Sequence, residues 1–557
     1  MRKLSSCWPV PCRGAFSGAV LAAAMALALV GAQGAAASPP LLGAPVGGPA
    51  ARALAEEAVE AVDREWALGF QEWRAEYFEQ HSDTELAHLL SSSAALYRDM
   101  AERRYQLAVR QDRGGTDDAR ARALREDIAR LRVHLGVVNS EIAKRSGGVN
   151  SSSYVPSEGA AANIGHALDP GQAAVEYWVG ISHAYAWVLK NGSIDWIELG
   201  ATREIEHAAR GVSEVMHSSA TAIARREACT KLYRLLFEPL RSALGGVKEL
   251  TFVPDGALHY VPFSALRESA SGNAGYLVQT YDLSIAPALR FVPRRAPEAA
   301  PSQRGPGVHQ VLIVADPIYS RDDPRIDADG KVITQAYPLR GDQAEPRAAV
   351  STARLTRLES SAREASQISA LFGVGRVELL QGADATRDAV LAKDLGGYQF
   401  IHLASHGVID SEIPQLSALI LGTYGRRGPV TDPYLRAGDL LTRTFHAQAV
   451  VLSACDTALG KEYASEGLVG LRYAALARGA HAVVASLWPV SDGIAARLMT
   501  EMYEGILATD GSARGRSRAN GREVAHALAA AMRVELARAP GLDPALWAPF
   551  TVYVGGI

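Results

Sequence analysis

Two apolar runs that each stop abruptly on a reactive side chain constrain this chain more than any other feature. Ala449-Val450-Val451-Leu452-Ser453-Ala454 ends on Cys455 and a small polar turn, Asp456-Thr457. Phe400-Ile401-His402-Leu403-Ala404-Ser405 ends on His406 and Gly407. Continuous apolar runs of this length read as parallel strands buried on both faces. The chain between them is long enough for a crossover between parallel neighbours. In open α/β sheets ligands bind at the carboxyl edge of the strands, so a thiol and an imidazole are expected together at that edge.

The surrounding pattern predicts a doubly wound α/β sheet. Strands are expected at 311–315, 377–380, 481–487 and 550–554, with helices at 386–395, 467–478, 493–507 and 520–538 between them. Ser361-Ala362-Arg363-Glu364 reads as a capping box opening another helix. Upstream, 174–179, 183–189 and 193–199 read as strands. Asn191-Gly192 joins the last two, because both central residues of a type I′ turn need positive φ. A helical stretch runs on to 244, and Pro254-Asp255-Gly256 stops a strand at 250–254. Residues 294–310 form a Pro-rich linker, and 320–356 a long charged surface loop of a length that is unusual unless functional or disordered.

The first 37 residues carry Arg2, Lys3 and Arg13, then an uncharged Ala/Leu/Val stretch, then Ala35-Ala36-Ala37. A basic start, apolar core and small-residue end predict a signal peptide, or a membrane anchor if it stays uncleaved. The protein is therefore expected to be exported or membrane-anchored. Residues 38–52 read as a linker and 53–147 as a helical accessory arm, a candidate site for an activating protein partner. The arm's last helix carries Leu124, Ile128, Leu131, Leu135 and Val138 as one stripe, and no 34-residue repeat is evident. A formal net charge of −3, with no basic patch, argues against nucleic acid.

Three chemistries compete for the strand-end residues. His402 and His406 are four apart, but on a strand that spacing separates them by about 13 Å, at ~3.3 Å per residue, and no acidic cluster stands near; no metal is expected. There is no Gly-x-Ser-x-Gly elbow for a serine nucleophile, and Ser453 lies deeper in its strand than Cys455. Cysteine chemistry remains, because a nearby base can lower the thiol's pKa. His406 would be that base, and the amides of Gly407 and Cys455 would bind a developing oxyanion. The residues alone leave two readings open: packing residues, or nucleophile and base. Cys229 reads as a helix packing residue, or as a disulfide partner that would silence Cys455.

His402-Leu403-Ala404-Ser405-His406-Gly407, Leu452-Ser453-Ala454-Cys455-Asp456-Thr457, Glu466-Gly467 and Ala485-Ser486-Leu487-Trp488-Pro489-Val490-Ser491-Asp492 together resemble the CHAT domain, a branch of the caspase/separase clan of cysteine peptidases. Leu168-Asp169-Pro170-Gly171, Val253-Pro254-Asp255-Gly256-Ala257-Leu258-His259-Tyr260-Val261-Pro262-Phe263 and Trp547-Ala548-Pro549-Phe550 resemble it as well. The resemblance implies a caspase-like sheet in two halves, a degenerate one at 155–300 and a dyad-bearing one at 308–557. It implies a cysteine endopeptidase performing limited proteolysis of a protein partner, with Cys455 as nucleophile, His406 as base, and no cofactor. His402 matches the motif's other histidine and reads as structural. Trp488 and Asp492 would line the substrate pocket, Asp492 favouring a basic residue or else capping the next helix. Asp456 and Glu466 would shape the site. The rival is a non-catalytic interaction module that retains the fold.

Overall fold

The computed structural model describes residues 119–145, 167–180, 182–270, 275–293, 310–327, 357–408, 418–454, 466–488, 492–510 and 521–555, with single positions at 164 and 355 and between 85 and 103. The chain divides into two compact units. The first holds Met1–Ala167, Glu176–Glu198 and Ala288–Arg290; the second holds Leu168–Val175, Leu199–Pro287 and Phe291–Ile557. Residues 1–37, expected to form the leader, lie outside the described residues, and so does most of the arm. No described helix is long and apolar enough to cross a membrane.

In the first unit the predicted stripe forms a helix, α1 (Ala119–Arg145). Its Val138 and Ile142 pack with Leu86, Leu89 and Leu96. The predicted strands follow as β1 (Gln172–Val179), whose first four residues belong to the second unit, β2 (His183–Lys190) and β3 (Ser193–Ala201), whose last three do. Asn191 and Gly192 sit at φ 50° and 74°, the left-handed pair that a two-residue hairpin turn needs. Trp178, Tyr185 and Trp196 stack in a row, ring centroids 5.7 and 5.2 Å apart.

The second unit takes up the chain with α2 (Thr202–His217) and α3 (Ala222–Leu236), which Thr221 caps by accepting the Ala224 amide. The expected single helical stretch breaks there because Ser218 is extended and Thr221 starts a new helix. Then come β4 (Glu249–Val253), β5 (Asp282–Ile285), β6 (Val311–Pro317) and α4 (Glu359–Phe372). β7 (Val377–Gly382), β8 (Phe400–Val408), β9 (Ala418–Ile420), the small hairpin β10 (Tyr424–Gly425) and β11 (Gly428–Pro429), and β12 (Tyr434–Arg436) follow. β13 (Ala449–Ala454), α5 (Glu466–Ala477), β14 (Ala482–Ser486), α6 (Asp492–Asp510), α7 (Gly521–Arg538), α8 (Pro544–Trp547) and β15 (Phe550–Val554) complete the unit.

The capping box is corrected. The helix begins at Glu359, so Ser361 lies in its first turn rather than at the cap. Its hydroxyl donates to Leu358 O (2.7 Å) and accepts the Asp316 amide (2.9 Å). Glu364 is buried, with its Oε1 3.0 Å from His402 Nε2.

The sheet is mixed. β7, β6, β8, β13 and β14 run parallel in that order; β15 then pairs antiparallel with β14 and parallel with β5, which is parallel to β4. Direction therefore reverses between β14 and β15, so the carboxyl ends of β4 and β5 point to the edge opposite His406. Gly171 closes the far end by accepting the Lys248 and Glu249 amides (2.7 and 3.1 Å). Arg522, in the first turn of α7, makes a paired contact with Glu249 (2.7 and 2.9 Å) and also bonds Asp169. Gly479 ends α5 at φ 105°, and a Cβ there would come within 2.4 Å of Phe445 O; only glycine meets both demands.

Behind β15 the guanidinium of Arg472 lies 4.0 Å from the Tyr553 ring centroid, a buried cation–π contact. His259, in the turn after β4, still reaches solvent in part. Burial, helped by Arg472, nevertheless lowers its pKa to about 4. The unfolded chain takes up that proton near pH 6.5, so this group's contribution to stability is intact above about 6.5 and falls as pH drops toward 4. His259→Gln is expected to lose less stability than wild type between pH 7 and 5 in urea titrations.

Candidate active site

His406 is presented by β8, which is buried from Phe400 to Gly407 with parallel neighbours on both sides up to Leu403. Ala449↔Phe400 through Ala454↔Ser405 are paired with β13, and Val311↔Phe400 through Val314↔Leu403 with β6. Past Ser405 the strand changes partner and pairs antiparallel with β9, His406 opposite Ile420 and Gly407 opposite Leu419. His406 is 2% exposed. The Tyr319 ring lies against it, centroids 4.8 Å apart and planes at 52°. Its amide donates to Tyr319 Oη (3.3 Å), and that oxygen is 2.9 Å from Ser405 Oγ. Ser405 Oγ in turn donates to Ile420 O.

One turn of pleat deeper, His402 is fully buried. Its Nε2 is 3.0 Å from Glu364 Oε1, in contact but out of line for a hydrogen bond, and its Nδ1 is 3.4 Å from Tyr503 Oη. Ser453 Oγ reaches Glu364 Oε2 at 3.5 Å. Burial, with Glu364 beside it, raises the Tyr503 pKa, so the phenol stays neutral. This cluster binds α4 and α6 to the centre of the sheet.

The β13–β8 ladder ends at Ala454↔Ser405. Cys455 and Asp456 lie outside the described residues. Glu466 and Asp492 are the first residues of α5 and α6, and their side chains also lie outside the described residues. Trp488 is buried, its Nε1 donating to Ala545 O (2.8 Å) and its ring edge-on to His217. Trp488→Phe is expected to lower stability by about 1 kcal/mol in urea denaturation, the size of one buried hydrogen bond. Cys229 is a free, buried thiol whose pKa burial pushes up to about 12. Among the described residues no group of three or more His, Cys, Asp or Glu side chains could hold a metal.

The sequence reading missed Asp316 and Tyr319. Asp316 sits at φ 46° where β6 slips register between Ala315 and Pro317. Its buried carboxylate meets Arg325 (2.8 Å) and Arg357 (2.8 and 3.0 Å), and Arg325 also holds Asp323 (2.7 and 2.8 Å). The available signal was an acid and an aromatic just past a strand end, with arginines on both flanks of a long loop.

Among curated proteins the chain is similar to tetratricopeptide repeat protein 28 of Mus musculus (26% identical over 362 residues, 58% of this chain) and of Homo sapiens (24% over 360 residues, 57%). The chain spans 13% of the length of each. Among solved structures it is similar to the Saccharomyces cerevisiae separase–securin complex, at 10% identity and a TM-score of 0.42 over 92% of this chain and 38% of that one. It is also similar to the Arg-specific cysteine proteinase gingipain R, at 13% identity and 0.30 over 63% and 73%. The family model for the CHAT domain matches residues 226–555, more than half of the sequence, from within α3 to the end of β15. The chain belongs to the CHAT domain family.

Proposed function

We propose that this protein is a cysteine endopeptidase that cuts a protein partner at few sites, with Cys455 as nucleophile and His406 as acid/base. The observation that carries the reading is the register of β13 and β8. Their last described pair is Ala454↔Ser405, and the next residue in the sequence after each is Cys455 and His406. One Cα step, about 3.8 Å, separates each from that pair. His406 takes the thiol proton, and the thiolate attacks the scissile carbonyl. The amides of Gly407 and Cys455 hold the oxyanion, and the C–N bond breaks as His406 returns the proton to the leaving amine. Water then hydrolyses the thioester with His406 as base. Asp492 is the candidate acid for a basic residue before the scissile bond, with Trp488, Asp456 and Glu466 shaping the pocket. Export or membrane anchoring through residues 1–37, and activation by a protein partner at 53–147, belong to the same reading.

The test is labelling of the purified protein by an acyloxymethyl ketone peptide carrying Arg, beside Cys455→Ala and His406→Ala. Labelling of wild type alone is expected. Labelling lost in Cys455→Ala but equal in His406→Ala would mean an exposed thiol without a base. No labelling after reduction, with probes of any specificity, would favour the interaction module.

A further inference from the structure

We propose that Tyr319 is the positioning residue of His406, an inference that rests on His406 as the base of the reading above. The hydrogen bonds around its hydroxyl have one consistent direction. Ser405 has a single hydroxyl proton, which goes to Ile420 O. Ser405 Oγ therefore accepts from Tyr319 Oη, and Tyr319 Oη accepts the amide proton of His406. The relay runs from His406 N–H through Tyr319 and Ser405 to the carbonyl of Ile420, the residue paired with His406 across β9. Chained bonds polarise one another in a low-dielectric interior, and burial raises the Tyr319 pKa, which keeps the phenol protonated as this direction requires. The ring that carries the hydroxyl also covers one side of the imidazole. Backbone and ring of the base are thus held by one side chain.

Tyr319 is itself fixed from two sides. Ile318 O accepts the amides of Thr423 and Tyr424 (2.9 and 3.2 Å). Three residues back, Asp316 is clamped by Arg325 and Arg357 at the register slip of β6. Bulges re-aim the chain beside active sites; this one sends the segment after β6 across the end of β8. A catalytic group must be held within roughly 0.5 Å of its working position to be effective, and Tyr319 is the described side chain that touches both the amide and the ring of His406.

The experiment uses the full chain and two variants. Tyr319→Phe removes the hydroxyl and keeps the ring; Tyr319→Leu removes both. The maximal probe-labelling rate is expected to fall about tenfold in the first and about a hundredfold in the second, with the probe's half-saturating concentration unchanged within about twofold. The ¹⁵N shifts of the His406 ring, assigned by subtraction of His406→Ala, are expected to move in both. A role in folding alone would reduce the fraction of molecules labelled and leave the rate and the ring shifts of the folded fraction alone. Wild-type rate and wild-type ring shifts in Tyr319→Phe would overturn the proposal. If wild type itself is not labelled, the peptidase reading fails, and the ring shifts alone decide on Tyr319. If Tyr319→Leu does not fold, Tyr319→Phe decides.

Discussion

His406→Ala is expected, on the proposed mechanism, to slow acylation of Cys455 by about 10²- to 10⁴-fold at pH 7, the usual contribution of a positioned general base. The His406 side chain is buried, so bulk buffer is not expected to take its place. On the proposed mechanism the variant lacks the base, and an ordinary thiol ionises only near pH ~8.5. The deficit is therefore largest at neutral pH and narrows as pH rises toward 9, where hydroxide supplies the thiolate. Second-order labelling rates measured from pH 6 to 9 check both the size and the slope. An equal rate in wild type and variant across that range would remove His406 from the chemistry. His402→Phe is the contrasting variant, because its contacts are with Glu364 and Tyr503 inside the sheet; the expected loss there is in folding midpoint.

The second large effect belongs to the Asp316 cluster. Arg325→Ala strips Asp323 of its guanidinium and leaves Asp316 with Arg357 alone, all with carboxylates that are 5% exposed or less. Breaking a buried ion pair from one side costs about 3–5 kcal/mol, mostly the penalty of the charge left behind. Arg426→Ala is the control. Its partner Asp384 is similar in chemistry, but the pair is exposed, and such pairs are worth about 1 kcal/mol or less. Thermal melts should separate the two by several degrees. Equal losses would mean that the cluster is solvated.

The elements legible in the sequence were those whose pattern is set by burial alone. β8, β13, β14 and β15 are continuous apolar runs, and all four lie within a residue or two of their expected ends. The Asn191-Gly192 turn was legible because only a few residues accept positive φ. The short strands β9 and β12 were not, because three residues carry no period; they exist through pairing with each other and with the end of β8. The capping box failed for a related reason. Serine and glutamate at that spacing suit a helix end, but the helix already begins at Glu359, which leaves Ser361 inside the first turn. At the site, strand ends announced His406, whereas Tyr319 became visible only once β6 was seen to lie beside β8.

The placement of β15 has a consequence for synthesis. This strand, at 550–554, is inserted between β14 and β5 and, among the described residues, is the strand that joins those on either side of the reversal. A chain leaving the ribosome can assemble β6, β7, β8 and β13 early, but the two parts of its sheet stay unjoined until residue 554 has emerged. Closure then relies on pairings such as Arg522 with Asp169, 353 positions apart, and such non-local contacts form slowly. Nascent or truncated copies would thus carry the His406 strand without the finished sheet that braces it, and whatever this edge does would begin only after translation has passed β15.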